Sequence, residues 1–405
     1  MKTPQPRRPR RETANRQATT PRRGNSLSAG SPSELCSGVL ELHPRGYGFL
    51  RRVTRNLARR DDDVFVPESL VQTYRLQAGV SVTGMSQRVC RTAGPRLVRI
   101  EDVNDIDPKS YADVSIFEDL TPTNPTTWLR LERENGPASM RVLDLLCPVG
   151  IGQRALIASP PRAGKTTLLR QIGHSIAANY PDIQLVALLI DERPEEVTDI
   201  RTEIDGEVFA SSLDEDVTNH ARLAHLVLNR CQRMAETGKD VVLLVDSLTR
   251  LSRACNKLPN LTGAIGAGGL NIRALDMPRQ LFAAARAFKE QGSLTIIATV
   301  LIETENRMDE VIFREFKGTG NLDIVLSQQL ADRRIWPALD ISQSATRRVE
   351  LLHDPSTLQA TTVLRNSLLS LPPIDAMSEL TRRLESSKSN KEFISMINRA
   401  MSSSC

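Results

Sequence analysis

Ser159-Pro160-Pro161-Arg162-Ala163-Gly164-Lys165-Thr166-Thr167 follows an apolar run at 154–158 and opens a helical stretch at 165–179. Strand, Gly-Lys-Thr turn and helix in that order make a phosphate-binding loop. The N–H groups of such a loop, and the first turn of the helix behind it, present partial positive charge to phosphate oxygens. Lys165 adds a full charge for the β and γ phosphates, and the Thr166 hydroxyl suits Mg²⁺. Ser159 stands where the general pattern has its first glycine, but the Gly164-Lys165-Thr166 core and its setting are intact.

Working outward, the runs 154–158, 184–190, 240–245 and 293–301 are almost continuously apolar. Strands buried on both faces of a parallel sheet have that texture. Helical stretches at 165–179, 218–236 and 278–290 lie between them, so 141–405 reads as an α/β sheet with crossover connections and a helical C-terminal end. Two acids sit at strand ends. Asp246 closes the run 240–246, about 80 residues after Lys165, where a carboxylate would join a Mg²⁺ shell. Glu192, in Ile190-Asp-Glu-Arg-Pro-Glu-Glu196, follows another strand whose carboxyl end faces the ligand crevice. A glutamate there orients or deprotonates the attacking water. The plainer reading is an acidic helix start, which favours the helix dipole.

Before this region the pattern differs. Segments 37–42, 47–51, 63–67, 81–88 and 97–103 read as short strands parted by Gly, Pro or Asp. Five such strands within 34–104 suggest a small OB-fold barrel. Residues 105–140, with several prolines, read as a linker. Residues 1–33 are rich in Arg, Pro, Ser and Thr and cannot bury enough surface to fold alone. Their first thirty residues carry eight Lys/Arg against Glu12, so most of the basic balance of the chain (+5 overall) sits in this tail. The tail is either a non-specific nucleic-acid contact or a merely solvated arm. The six cysteines show no Cys-x-x-Cys spacing, which argues for buried thiols rather than metal knuckles or a disulfide framework. No run approaches the ~20 apolar residues of a membrane helix. A cytoplasmic protein with no membrane partner is expected.

Six separated motifs then resemble one family, the bacterial transcription termination factor Rho. They are Pro160-Pro-Arg-Ala-Gly-Lys-Thr166, Asp191-Glu-Arg-Pro-Glu-Glu-Val-Thr198, Asp246-Ser-Leu-Thr-Arg-Leu-Ser-Arg-Ala254, Gly292-Ser-Leu-Thr-Ile-Ile-Ala-Thr299, Phe316-Lys-Gly-Thr-Gly-Asn321 and Ala345-Thr-Arg-Arg-Val-Glu-Leu-Leu352. Weaker similarity reaches back to about residue 37. The resemblance implies a RecA-like, homohexameric, RNA-dependent ATPase that uses ATP and Mg²⁺. Such a ring moves 5′ to 3′ along nascent single-stranded RNA and releases it from the transcription elongation complex of RNA polymerase.

The resemblance also assigns roles. Glu192 matches the catalytic glutamate, Arg347 an arginine finger offered to the neighbouring subunit, and Arg250 an arginine sensing the γ phosphate, beside Lys165 and Asp246. Arg162, Ala163, Gly164, Thr166, Thr167 and Arg193 match nucleotide-contacting positions, as do Gly150, Ile151, Gly152, Gln153, Arg154 and Ala155. Trp336 falls where an aromatic stacks on adenine; core packing is its plainer reading. Two loops match those that project into the ring channel. One is 262–271, including Gly266 and Gly268, a glycine-rich stretch that reads as mobile. The other is Phe316–Gly320, with Lys317, Gly318 and Thr319. Tyr47, Phe49, Arg51 and Phe65 match the RNA-stacking strands of the barrel, one of Tyr47 and Phe49 being expected to face inward.

Three departures stand out. Ala264 replaces the lysine usual in the first loop, Phe65 replaces a tyrosine, and Thr92-Ala93-Gly94-Pro95 replaces a Glu-Arg-Tyr-Phe run of the pyrimidine pocket. Relaxed base choice is expected. The alternatives are a divergent paralogue that binds nucleic acid without terminating transcription, and a rotary or secretion-type transport ATPase subunit.

Overall fold

The computed structural model describes residues 33–88, 94–259, 261–290 and 292–403. The basic tail and the Thr92-Ala93 part of the altered pocket lie outside them.

Strands β1 (Glu34–Leu42), β2 (Gly48–Arg51), β3 (Val64–Val66), β4 (Ser81–Gln87) and β5 (Arg96–Val103) close a barrel in the order β1-β2-β3-β5-β4, with helix α1 (Glu68–Thr73) between β3 and β4. Side chains alternate across each strand. Leu50, Val64, Val66, Val82 and Leu97 therefore fill the interior. Phe49 and Phe65, opposite one another across β2 and β3, point the other way.

Residues 105–140 are not a loose linker. They form α2 (Pro108–Tyr111), β6 (Pro122–Thr123), β7 (Trp128–Leu129) and the start of α3 (Ala138–Leu146). Phe117 is buried edge-to-face on Phe288, 5.0 Å between ring centroids, and its N–H donates to Glu236 Oε1 at 2.5 Å. Leu129 and Leu131 enter the main core. The prolines suggested a linker, yet they occupy places where a missing N–H costs little. Pro108 opens α2, Pro122 lies in a two-residue strand and Pro137 precedes α3.

The large sheet comprises β6, β9 (Arg154–Ser159), β10 (Gln184–Glu192), β11 (Glu207–Ser212), β12 (Asp240–Asp246), β13 (Arg286–Phe288), β14 (Ser293–Leu301), β15 (Leu322–Val325) and β16 (Ala345–Thr346), while β8 (Val149–Gly150) pairs with β7. Its order is β11-β10-β12-β14-β9-β15-β16, the first six parallel and β16 antiparallel. Two apolar clusters cover its faces; Leu244 belongs to one and Leu243 to the other. Helices α4 (Lys165–Asn179), α5 (Pro194–Glu203), α6 (Val217–Glu236), α7 (Leu248–Asn256), α8 (Asp276–Ala283), α9 (Arg307–Phe316) and α10 (Gln328–Asp332) connect the strands, and α11 (Pro355–Leu369), α12 (Pro373–Glu385) and α13 (Asn390–Ser403) follow.

The helix expected over 278–290 ends at Ala283. Beyond it Arg286 bonds the Ala283 and Ala284 carbonyls at 3.2 and 3.3 Å and stacks on Phe117, which turns the chain into β13 between β14 and β6.

The barrel is fastened to the sheet. The Asn56 amide takes both backbone groups of Ala210 on β11, donating to its C=O at 2.5 Å and accepting its N–H at 2.8 Å. Arg222 of α6 reaches Glu41 of β1 at 3.2 Å and the Leu57 carbonyl at 3.2 Å.

Because Phe117 is a core side chain, Phe117→Ala is expected to cost about 3–5 kcal/mol. A lowered midpoint in urea denaturation reads this out; an unchanged midpoint would mean the segment is only a tether.

Candidate nucleotide site and nucleic-acid face

Strand β9 stops at Ser159, and the loop 160–164 turns the chain into α4 at Lys165. Gly164 has φ +86°, the left-handed region that glycine enters freely, and a Cβ there would stand 2.6 Å from the Trp336 ring. Trp336 thus lies directly on the loop and is 47% exposed rather than being core packing. It lines a cleft of about 330 Å³ with Ala163, Gly164, Thr167, Leu168 and Pro337, a slot suited to an aromatic base. Arg162 and Arg193 are exposed nearby, Arg162 in the loop itself and Arg193 at the start of α5.

Asp246 ends β12 with no exposure to water. Lys165 Nζ bonds its Oδ1 and lies 3.4 Å from Glu192 Oε1. Thr166 Oγ1 lies 3.4 Å from Asp246 Oδ2, and the Thr299 hydroxyl of β14 donates to Oδ1 at 2.9 Å. Ser247 caps α7 by accepting the Arg250 N–H at 3.3 Å, which sets Arg250 in the first turn. From there its guanidinium bonds the Asp191 carbonyl and stands 3.4 Å from Glu192 Oε1.

Glu192 arrives by a bulge. The register of β10 on β11 steps from Ile190 opposite Ser211 to Glu192 opposite Ser212, and the extra residue, Asp191, has φ +59°. One inserted residue re-aims the next side chain. Ile190 and Glu192 are both buried, and Glu192 Oε2 has no protein partner. Burial, helped by the Asp246 charge, pushes the Glu192 carboxyl up to about 7, while Lys165 and Arg250 pull the other way. A carboxylate with that affinity and a free oxygen is built to accept a proton near neutrality.

The stretch Gly150–Ala155 does not join this site. It sits at the opposite end of β9 from the loop, about 16 Å away along the strand. Its groups are already engaged: Gln153 bonds the Asn321 carbonyl at 2.9 Å, and Arg154 bonds the Thr319 carbonyl at 2.9 Å. Gly150, Ile151, Gly152, Gln153, Arg154 and Ala155 thus lie away from this chain's own phosphate loop, on the flank that carries Arg347. Arg347 lies at that same far end, after β16, exposed, with its N–H on the Asn321 carbonyl at 2.9 Å. It cannot reach its own phosphate loop and is turned outward.

On the barrel, Tyr47, Phe49 and Phe65 form one half-buried aromatic face, with centroid separations of 5.9, 5.4 and 5.8 Å. Neither Tyr47 nor Phe49 faces inward, because residues two apart on a strand share a side. Arg51 is 6% exposed, bonds Asp63, donates to Glu41 at 2.6 Å and lies 5.0 Å from the Phe49 ring centroid, so it backs the aromatic face with its charge already paired. Two residues join the face that the sequence reading did not name. His43 stacks on Tyr47 at 4.5 Å, and the Arg96 guanidinium lies 5.9 Å above Phe65. The His43–Tyr47 turn and the β3–β5 pairing bring them there, and neither is visible without the barrel closed.

The two loops lie at the two ends of α9. Gly268 has φ +69°, and a Cβ there would fall 2.9 Å from the Met308 backbone at the start of α9. Lys317, Gly318 and Thr319 are exposed at the other end of that helix, Lys317 lying 5.4 Å from the Phe313 ring centroid. The loop 262–271 carries bonds of its own: Gly266 N–H bonds the Leu270 carbonyl at 2.8 Å and Ile265 pairs with Asn271.

Residues 36–109 match a family model described as Rho termination factor, RNA-binding domain, and 139–346 match the ATP synthase alpha/beta family, nucleotide-binding domain. The chain is 44% identical over 369 residues to transcription termination factor Rho of Haemophilus influenzae, covering 90% of this chain and 87% of that protein. It is 44% identical over 371 residues to transcription termination factor Rho of Cereibacter sphaeroides, covering 89% and 86%. In fold alone, it resembles an ATPase of a bacterial type III secretion system (TM-score 0.55, 22% identity, 69% of this chain and 86% of that one). It likewise resembles an ATP synthase subunit from Nanoarcheaum equitans (TM-score 0.56, 16% identity, 69% and 78%). Among the described residues no helix is long and apolar enough to cross a membrane.

Since Glu192 holds its proton up to about pH 7, kcat/KM for ATP is expected to rise with pH to a plateau above that value. Glu192→Gln is expected to lower turnover about 10²- to 10⁴-fold. The same shift has a stability cost. The folded state binds this proton more tightly than the unfolded one, so the stabilisation is full below the ordinary carboxylate range and lost as pH rises through about 7. Glu192→Gln is therefore expected to raise the melting temperature at pH 8 but not at pH 4.5; equal shifts at both would refute the assignment.

Proposed function

The chain belongs to the transcription termination factor Rho family, and on that premise we propose that it is an RNA-stimulated ATP hydrolase that terminates transcription by moving 5′ to 3′ along nascent RNA and releasing it from RNA polymerase. The observation that carries this reading is the union, in one chain, of an aromatic barrel face with a buried Lys165–Asp246–Glu192 centre.

ATP is the substrate. The backbone of 160–164 and the α4 N-terminus cradle its phosphates, Lys165 neutralises the β and γ oxygens, and Trp336 stacks on adenine. Glu192 accepts the proton of the attacking water at its unpartnered Oε2, and Arg250 senses the γ phosphate from the first turn of α7. The Thr166 hydroxyl and the Asp246 carboxylate, 3.4 Å apart, form an oxygen pair that fits Mg²⁺, which would polarise the phosphates when bound. Arg347 completes the neighbouring subunit's site in a homohexamer; its outward position at the far end of β9 supports this. An arginine supplied in that way stabilises the charge of the transferred phosphoryl group.

Tyr47, Phe49, Phe65, His43 and Arg96 hold single-stranded RNA by stacking, which tolerates every base. The Pro95 carbonyl is spent on the Phe65 N–H at 2.8 Å, and Gly94 and Pro95 bring neither an acid nor an aromatic ring to the pocket. Preference for cytosine is accordingly weak. The loops 262–271 and 316–320 contact the RNA that passes through the ring.

ATP hydrolysis measured with poly(C), poly(U) and mixed RNA is expected to rise with all three; no stimulation by any of them would sink the reading. Arg347→Ala is expected to lose about 10³-fold in turnover while still binding a fluorescent nucleotide. Mixing it with Glu192→Gln chains should restore part of the activity, because some interfaces then combine intact partners. Full activity of Arg347→Ala alone would rule out the shared site.

A further inference from the structure

The loop 262–271, Thr-Gly-Ala-Ile-Gly-Ala-Gly-Gly-Leu-Asn, carries no charged side chain. A surface that grips a phosphate backbone needs cations set against it. The fold brings one in from just beyond the loop. Asn256 and Asn271 fasten the loop's two legs: Asn256 Oδ1 accepts the Asn271 N–H at 2.7 Å, Asn256 Nδ2 donates to the Gly269 carbonyl at 3.2 Å, and Asn271 Nδ2 donates to the Gly263 carbonyl at 3.3 Å. Asn271 Oδ1 also accepts the Arg273 N–H at 3.0 Å, starting the short turn Ile272–Leu275. That turn sends the Arg273 side chain back along the loop, where Nη1 donates to the Thr262 hydroxyl at 3.0 Å.

Arg273 differs from its neighbours in what it touches. Arg253 is spent on Asp309 and Arg279 on Glu315. Arg273 is exposed and rests on a hydroxyl, which leaves its charge unneutralised. Beside it Ile265 is 75% exposed and Ile272 56% exposed, joined through the bond from the Ile272 N–H to the Ala264 carbonyl at 3.2 Å. An apolar shelf next to an uncompensated guanidinium offers a single strand both things it needs: a surface for base or ribose, and a donor for phosphate.

We propose that Arg273 is the phosphate-binding cation of the 262–271 loop and, with Ile265 and Ile272, makes that loop an RNA grip despite its lack of charge. This rests on the reading that the loop faces RNA in the ring. It also explains how Ala264 is tolerated, because the cation comes from nine residues further along the chain.

The test is ATPase stimulation by mixed-sequence RNA, titrated at several salt concentrations with the full-length protein. Arg273→Ala is expected to raise the RNA concentration for half-maximal stimulation about tenfold, with a shallower salt dependence. Arg273→Gln keeps an N–H donor for Thr262 but no charge, so it should behave like Arg273→Ala. Ala264→Lys placed in the Arg273→Ala background should recover most of the loss. If Arg273→Gln matches the unaltered chain, or Arg273→Ala leaves both titration and salt slope unchanged, Arg273 only braces the loop and the proposal is overturned. If the unaltered chain is not stimulated by any RNA, the functional reading itself falls first.

Discussion

A carboxylate fully removed from water at the end of a parallel strand has to be neutralised where it stands, and Asp246 is such a group. Lys165 is its counter-ion and Thr299 its hydrogen-bond donor, from the strand that separates β12 from β9. The pairing ties the phosphate loop, the strand carrying Asp246 and the strand between them into one unit. It also fixes where Lys165 can be, and thereby which carboxylate competes for it. Glu192 keeps a proton that an isolated glutamate would shed, first because it is buried and then because the Asp246 charge stands beside it; Lys165 and Arg250 pull the other way without cancelling that cost.

The same economy governs the barrel. Its wall spends the charge of Arg51, which backs the Phe49 ring, on Glu41 and Asp63, and the exposed side of the aromatic face keeps the guanidinium of Arg96. Glu41 in turn holds Arg222 on α6, whose neighbour Asn219 bonds Ser211, the residue that precedes Glu192's partner on β11. Barrel and hydrolytic centre are therefore built against one continuous scaffold, without a flexible hinge between them among the described residues. A segment rich in proline looked like such a hinge and is instead pinned by Phe117.

What could be read from the sequence was what depends on local pattern. Apolar runs gave the four strands that carry the site, and the Gly-Lys-Thr turn gave the loop and α4. Alternation gave all five barrel strands to within a few residues. What escaped was set by partners far away in the chain. The short strands β11 and β15 look like turns until β10 and β9 are beside them. The premature end of α8 depends on an arginine stacking on a ring 169 residues earlier. Arg51 sits in a stretch that looks like an RNA strand, and only the closed wall reveals that its charge is consumed. Asp191 gave no sign that it would be the extra residue of a bulge, because any residue can occupy that place when the register on both sides is fixed.

Strand β11 is the outer strand of the large sheet, and an outer parallel strand exposes a row of backbone groups that invites another chain to pair with it. Here the Asn56 amide occupies both groups of Ala210, imitating one residue of a further strand and ending the ladder at that point. Sheet-to-sheet addition at such an edge has no natural stopping number, and a side-chain amide from the barrel blocks it at this residue.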